Sequence, residues 1–199
     1  MEKNSEKKDR RIGKTKKSIR DAIISLLEEK DISQITVKEL AERANINRKT
    51  FYMHYTSIKE VFNEIEDEFI EKLLGILNKH NFTQAQLDHY AFFSSLSSLI
   101  NEDFDFYQKL ARVNSYDFLF VKIKQILKDK IVEELSEKLN ANHEMLNLYA
   151  EFGASGIISM YNEWFNMDSN ISLEDLAKAA GNLVFNGINS IIEINNTPI

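Results

Sequence analysis

Two helix-start signals, Thr36-Val37-Lys38-Glu39 and Ser57-Ile58-Lys59-Glu60, bracket a stretch so short that only small helices fit between them. In each, a hydroxyl side chain precedes a glutamate by three residues. The hydroxyl can accept from the glutamate's backbone N–H while the carboxylate reaches back, satisfying two donors left over at a helix start. The first box opens a short helix through about Ala44, with Val37, Leu40 and Ala41 inward. Asn45-Ile46 reads as a tight turn, and Asn47 can cap a second short helix from Arg48 to about Met53. The second box starts a long helix whose apolar residues are Val61, Phe62, Ile65, Phe69, Leu73 and Leu77. Before them all lies a helix from about Lys14 to Glu29, with Ile19, Ile23, Leu26 and Leu27 on one face. Two short helices joined by a few residues meet the geometric requirement of a helix-turn-helix.

The remainder extends the pattern. One proline and six glycines in 199 residues leave few breakers, which favours long helices over a strand-rich fold. Helical spacing predicts elements over Gln84–Asn101, Asp103–Ala111, Asp117–Leu139, His143–Phe165 and a last one opened by Ser172-Leu173-Glu174-Asp175. The fold class expected is therefore all-α: a three-helix N-terminal module joined by a long helix to a larger helical domain. The segments read as a basic tail over 1–13, a helix-turn-helix domain over 14–56 and a regulatory domain over 57–199. The tail lacks apolar periodicity and is expected to be disordered.

Charge separates the two ends. Residues 1–60 hold 15 Lys and Arg against 10 Asp and Glu, although the whole chain has a net charge of −6. A cationic module on an acidic body suits a polyanion partner. The chain has no cysteine, which excludes disulfides and thiolate metal sites and suits a reducing cytoplasm. The longest uncharged stretch, Ala179 to Ile192, is interrupted by Asn182, Asn186 and Asn189 and is shorter than the ~18 apolar residues a bilayer span needs. A soluble cytoplasmic protein without a membrane partner is expected.

The run from Ile35 to Tyr55 resembles the helix-turn-helix of tetracycline-repressor (TetR) family regulators. The likeness rests on Thr36-Val37-x-Glu39-Leu40-Ala41, on the small residue Ala44, and on Thr50-Phe51-Tyr52-x-His54-Tyr55, followed by a capped helix bearing Val61 and Phe62. It extends over roughly residues 14–65. It implies a homodimer bound to double-stranded operator DNA. Phe51 would face the module core while Arg48, Lys49, Thr50 and Tyr52 project outward. Arg48 has the fork geometry to donate to guanine, and Lys49 and Thr50 suit bases or phosphates. By resemblance, Tyr52 and His54 fall where the family often touches phosphates, and Thr36 caps its helix against one. The sequence departs from the pattern at Ile58, where members usually carry a phosphate-contacting lysine; Lys59 follows and either replaces it or leaves the contact missing.

In the C-terminal half, Tyr149-x-x-Phe152-Gly153-x-x-Gly156-Ile157-x-x-x-Tyr161-x-x-Trp164 looks like a region type common in Gram-positive members. The resemblance implies dimerisation through the last two helices, with Gly153, Gly156, Gly181 and Gly187 allowing close approach. It also implies a pocket for an unidentified small-molecule ligand, for which Phe93, Phe104, Tyr107, Tyr116, Phe120, Tyr149 and Trp164 are lining candidates. Leu146, Tyr149, Phe152, Gly153, Gly156, Ile157, Met160 and Trp164 are expected on one side of their helix. His80, Asp88, His89 and His143 are the conceivable metal ligands, but adjacent Asp88 and His89 diverge on a helix, so neither metal nor cofactor is expected. No phosphate loop, nucleophile elbow or His-Glu-x-x-His motif suggests an enzyme. The expected function is ligand-released repression. TetR-like folds also serve as co-activators or adaptors acting through a protein partner, and the Ile58 departure keeps that alternative open.

Overall fold

The computed structural model describes the backbone of residues 2–80, 86–112, 117–139, 142–167 and 170–196, and every regular element among them is a helix. The described chain falls into two compact units that divide between Glu68 and Phe69.

The N-terminal unit holds α1 (Glu2–Leu27), a 3-10 turn (Ile32–Gln34), α2 (Val37–Arg43), α3 (Arg48–Tyr52) and the first part of α4 (Ile58–Leu77). Ile19, Ile23, Leu26 and Leu27 of α1 are buried, as their spacing requires. The helix runs back to Glu2, through residues that lack an apolar face. Lys, Arg and Glu are good helix formers, so the backbone ladder there needs no packed partner; Arg10, Arg11 and Lys14 are all exposed. The unit reaches twelve residues beyond the boundary expected at 56 because α4 is bound into it. Val61, Phe62 and Ile65 are buried, Lys16 pairs with Glu64 at 2.6 Å, and Arg20 pairs with Glu68.

The C-terminal unit holds the end of α4, α5 (Gln86–Asn101), α6 (Phe104–Ala111), α7 (Asp117–Lys138), α8 (His143–Asn166) and α9 (Leu173–Asn196). Helix α7 packs along α8, and α9 lies against both α5 and α8. Glycine sets two of these approaches. A Cβ on Gly153 would sit 3.5 Å from Ile131 Cδ1 and 3.9 Å from Val184 Cγ1, and one on Gly181 would sit 3.3 Å from a Phe93 ring carbon. By contrast, Gly156 and Gly187 have nothing within 4 Å of that position and are exposed. The four glycines therefore divide into two that serve packing within the chain and two that face outward.

The inward face of α8 differs from the expected one. It consists of Leu146, Ala150, Gly153, Ala154, Ile157, Tyr161 and Phe165. Phe152 is 83 % exposed, Gly156 is exposed, and Tyr149, Met160 and Trp164 are half-buried. Both flanks of this helix are apolar, so periodicity alone gives its spacing without fixing which flank turns inward.

Candidate nucleic-acid interface and interior cavity

The reciprocal box at Thr36 forms as the sequence requires. Thr36 Oγ1 accepts from Glu39 N–H at 3.2 Å, while the Glu39 carboxylate accepts from Thr36 N–H at 3.1 Å and from its hydroxyl at 2.9 Å. Lys30 donates to the other carboxylate oxygen at 2.7 Å. The Lys30 and Thr36 hydrogen bonds hold the Glu39 carboxyl down to about 2, so it is ionised throughout the physiological range.

Helix α2 ends in a tight left-handed cap. Asn45 has φ of 53°, the only positive value at a non-glycine residue among those described. Its N–H donates to the Glu42 carbonyl at 3.1 Å, and Ile46 N–H donates to the Ala41 carbonyl at 2.9 Å. This pair of bonds satisfies carbonyls that a helix end leaves open, and asparagine tolerates the conformation better than most side chains. Asn47 then starts α3: its Oδ1 accepts from Thr50 N–H at 2.7 Å and from the Thr50 hydroxyl at 3.1 Å. The second box, at Ser57, closes on one side only. Ser57 Oγ accepts from Glu60 N–H at 3.3 Å, but the Glu60 carboxylate is taken by Thr56, whose N–H and hydroxyl donate at 2.5 and 2.7 Å.

With α3 anchored at its start, Phe51 is fully buried and the rest of the helix turns outward. Arg48, Lys49 and Tyr52 are exposed, as are Thr36 and Lys59, while Thr50, His54 and Ile58 are half-buried. Tyr55 is buried beneath, its hydroxyl donating to Glu64 at 2.9 Å and the Lys16 ammonium lying 5.6 Å from its ring centre. Charge is partitioned across the unit. Lys16, Lys17, Arg20, Lys30 and Arg43 are ion-paired to carboxylates of the same unit. Among the described residues no carboxylate pairs with Arg48, Lys49 or Lys59, nor with Lys38, an exposed cation of α2 absent from the sequence-based candidates, nor with Arg10, Arg11 and Lys14 of α1.

The C-terminal unit holds a partly open cavity of about 70 Å³. Leu73, Ile100, Tyr107, Phe120, Leu127 and Tyr161 contribute to its wall, which carries no charged side chain. Two of the seven candidates, Tyr107 and Phe120, are therefore at the cavity. Phe93 packs instead against Phe92 and Phe185. Phe104 and Trp164 meet edge to face with ring centres 5.8 Å apart, and Trp164 Nε1 donates to the Ile171 carbonyl at 2.9 Å. Tyr149 is half-buried and away from the cavity wall, and Tyr116 lies outside the described residues. No group of three metal-ligating side chains occurs among the described residues; the side chains of Asp88 and His89 lie outside them.

Residues 19–65 match the bacterial regulatory proteins of the tetR family, and residues 88–186 match the transcriptional regulator C-terminal region. The chain belongs to the TetR family. A curated relative from Bacillus subtilis strain 168, the uncharacterised HTH-type transcriptional regulator YxbF, is 23 % identical over 178 residues. The match takes in 83 % of this chain but spans only 43 % of the length of that relative. Among solved structures, a TetR transcriptional regulator from Streptococcus agalactiae 2603V is 25 % identical, with 90 % of this chain and 98 % of that one aligned at a TM-score of 0.58. DhaS, the dihydroxyacetone kinase operon activator, is 21 % identical over 92 % of this chain and 98 % of its own, with a TM-score of 0.59. NalD, the secondary repressor of the MexAB-OprM multidrug efflux pump in Pseudomonas aeruginosa, is 15 % identical over 88 % and 97 %, with a TM-score of 0.64. The last two likenesses speak to the TetR fold.

Phe69, Tyr161 and Phe165 are the aromatic residues of the cavity wall that the sequence did not single out.

Proposed function

We infer that this protein is a transcriptional regulator that reads a near-palindromic operator as a homodimer, with α3 in the major groove. The observation that carries this reading is the partition of cations in the N-terminal unit. Those that hold the helices together are ion-paired, whereas Arg48, Lys49 and Lys59 stand exposed with no carboxylate partner among the described residues. Unpaired cations around a short exposed helix suit phosphates and base edges. Arg48 reads a base, Lys49 and Thr50 contact bases or phosphates, and Tyr52, His54 and Lys59 contact the backbone. Thr36 contacts a phosphate by turning toward it the hydroxyl proton that it otherwise donates to Glu39 at 2.9 Å. The acidic remainder of the chain repels DNA, so this module supplies the affinity.

A second copy supplies the symmetry. On α8, Met145, Leu148 and Phe152 are exposed, and Gly156 and Ser159 continue the same stripe. On α9, Ala179, Asn182, Leu183, Asn186, Gly187 and Ser190 are exposed at helical spacing without a single charge. Leu148 at 63 % and Leu183 at 68 % exposure leave apolar area in water at roughly 25 cal/mol per Å². A two-fold contact of these faces buries that area and lets the backbones approach at Gly156 and Gly187.

Regulation follows by repression that a small molecule relieves. A ligand in the C-terminal unit releases DNA by favouring the conformation that does not fit the operator, and α4, which carries residues of both units, is the covalent route. The test is fluorescence anisotropy with the inverted repeat nearest the gene and with a scrambled duplex. Clear preference for the repeat is expected, and equal affinity for both would overturn the reading.

A further inference from the structure

Helix α1 runs in the same direction as α4 where the two meet. Lys16 pairs with Glu64 and, about one turn on, Arg20 pairs with Glu68. At about 1.5 Å per residue, Arg10 lies about 9 Å back along α1 from Lys16, as Ile58 lies about 9 Å back along α4 from Glu64. Arg10 and Arg11 are therefore roughly level with the start of α4, where Lys59 stands exposed. The α1 backbone continues before Arg10 as far as Glu2. The helix thus reaches past the end of the unit that carries Lys59.

Three cations crowd this end of α1. Arg10, Arg11 and Lys14 are exposed, and among the described residues no carboxylate pairs with them. With about 3.6 residues per turn they fall within an arc of roughly 100°, while the half-buried Ile12 lies on the opposite side. Like charges three and four residues apart repel one another on a helix. The cations that follow are different: Lys16, Lys17 and Arg20 each have a carboxylate partner. Near Thr15, α1 passes from cations without a counter-charge to cations that have one. Carboxylates at helical spacing would relieve the repulsion, and a polyanion lying alongside does the same.

We propose that Arg10, Arg11 and Lys14 form a second DNA-contacting surface, which grips backbone phosphates adjoining those assigned to Lys59 and reads no base. This rests on the operator-binding reading above and extends it: α3 selects the sequence, and α1 lengthens the stretch of backbone that is held. Guanidinium groups bind phosphate oxygens through paired donors, and each phosphate neutralised releases condensed counterions. Gly13 governs how firmly the surface is presented. A Cβ there would meet nothing within 4 Å, so an alanine fits and stiffens the helix.

The experiment compares the full chain with a variant carrying Arg10→Ala, Arg11→Ala and Lys14→Ala, on the inverted repeat nearest the gene and on a scrambled duplex. Anisotropy over a range of salt gives affinity and salt slope, and ethylation interference on the repeat gives the phosphates touched. Up to about six contacts per dimer are lost, so the slope should become shallower by about 5 and low-salt affinity should fall about tenfold or more on both duplexes alike. The interference pattern should lose phosphates next to those lost in Lys59→Ala and keep the others. A variant with Arg10→Lys and Arg11→Lys retains the charges and should keep most of the slope, which also controls for folding. Gly13→Ala should bind more tightly than the parent. An unchanged slope and interference pattern in the triple variant, a loss confined to the repeat, an equally deep loss in the lysine variant, or weaker binding by Gly13→Ala would each overturn the proposal. If the parent prefers the repeat and the triple variant matches it, this proposal alone falls. If the parent binds both duplexes equally, the regulator reading falls while the salt slope still decides this one. Failure of the parent to bind either duplex removes both.

Discussion

The Tyr55 hydroxyl donates to Glu64 at 2.9 Å, and through that one bond the residue that ends the helix-turn-helix is fastened to the next helix. Lys16 holds the other carboxylate oxygen at 2.6 Å, so α1, the end of the recognition segment and α4 converge on one side chain. Burial and the Glu64 carboxylate together push the Tyr55 phenol up, so it remains a donor well into alkaline solution. Tyr55→Phe should lower the stability of the unit by about 1 kcal/mol, the typical worth of such a bond. Urea melts monitored by circular dichroism check this, and an unchanged midpoint would show that the bond contributes nothing.

The Glu39 carboxyl gives a pH signature. Its ionised form is held by Lys30 and Thr36, and its folded value is depressed to about 2 from 4.5. A depressed folded value means the stabilisation is complete above about 4.5 and is lost as pH falls from there toward about 2. Glu39→Gln should therefore melt at a lower temperature than the parent at pH 7. The gap should narrow steadily between pH 4.5 and the acid end of that window. A gap that is the same at pH 7 and pH 3 would mean that packing, not charge, sets the effect.

The cations of α3 and α4 allow the two proposed kinds of DNA contact to be tested apart. Arg48→Ala should cost about 1–3 kcal/mol on the preferred duplex and relax base preference, while Lys59→Ala should weaken all duplexes alike and reduce the salt slope by about one. Lys38→Ala should resemble Lys59→Ala if α2 lies along the backbone. Anisotropy at several salt concentrations gives both quantities. Wild-type behaviour from Arg48→Ala together with Tyr52→Ala would remove α3 from the reading role.

The glycines of α8 make a paired test of the proposed dimer. Gly156→Ala meets no atom within 4 Å in the single chain, so it should stabilise the isolated helix by about 0.5–1 kcal/mol. At a close two-fold contact the same methyl should weaken dimerisation. Phe152→Glu, on the same stripe, should give monomers at micromolar concentration. Sedimentation velocity measures both, and dimers of unchanged affinity from both variants would place the interface elsewhere.

The sequence made the helices readable because caps and spacing are local properties. The Thr36 box and the Asn47 cap need only neighbours within three residues, and both form as read. The burial pattern of α1 and α4 was readable for a related reason: each has one apolar face opposite a charged one, so Ile19 or Val61 had a single place to go. Helix α8 has two apolar flanks, and which of them turns inward is settled by α7 and α9, distant in sequence. That is why Phe152 read as a partner of Gly153 yet lies exposed while Ala150 and Tyr161 are buried. The cavity failed to show for the same cause. Its wall draws on Leu73, Ile100, Leu127 and Tyr161, residues of four helices that share no local pattern. Asn45 was readable as a turn, but its left-handed backbone and the two carbonyls it caps depend on dihedral angles that no side-chain pattern encodes.

The uncharged stripe of Leu148, Phe152 and Leu183 has a consequence for how much protein a cell must make. When two copies must meet before an operator is occupied, occupancy at low abundance rises with the square of chain number. A twofold fall in synthesis then empties the site nearly fourfold, so dilution at cell division acts as a signal in its own right. In the proposed dimer, a newly made single chain keeps Leu148, Phe152 and Leu183 in water until it meets a second copy, so pairing would be favoured where both copies are made close together.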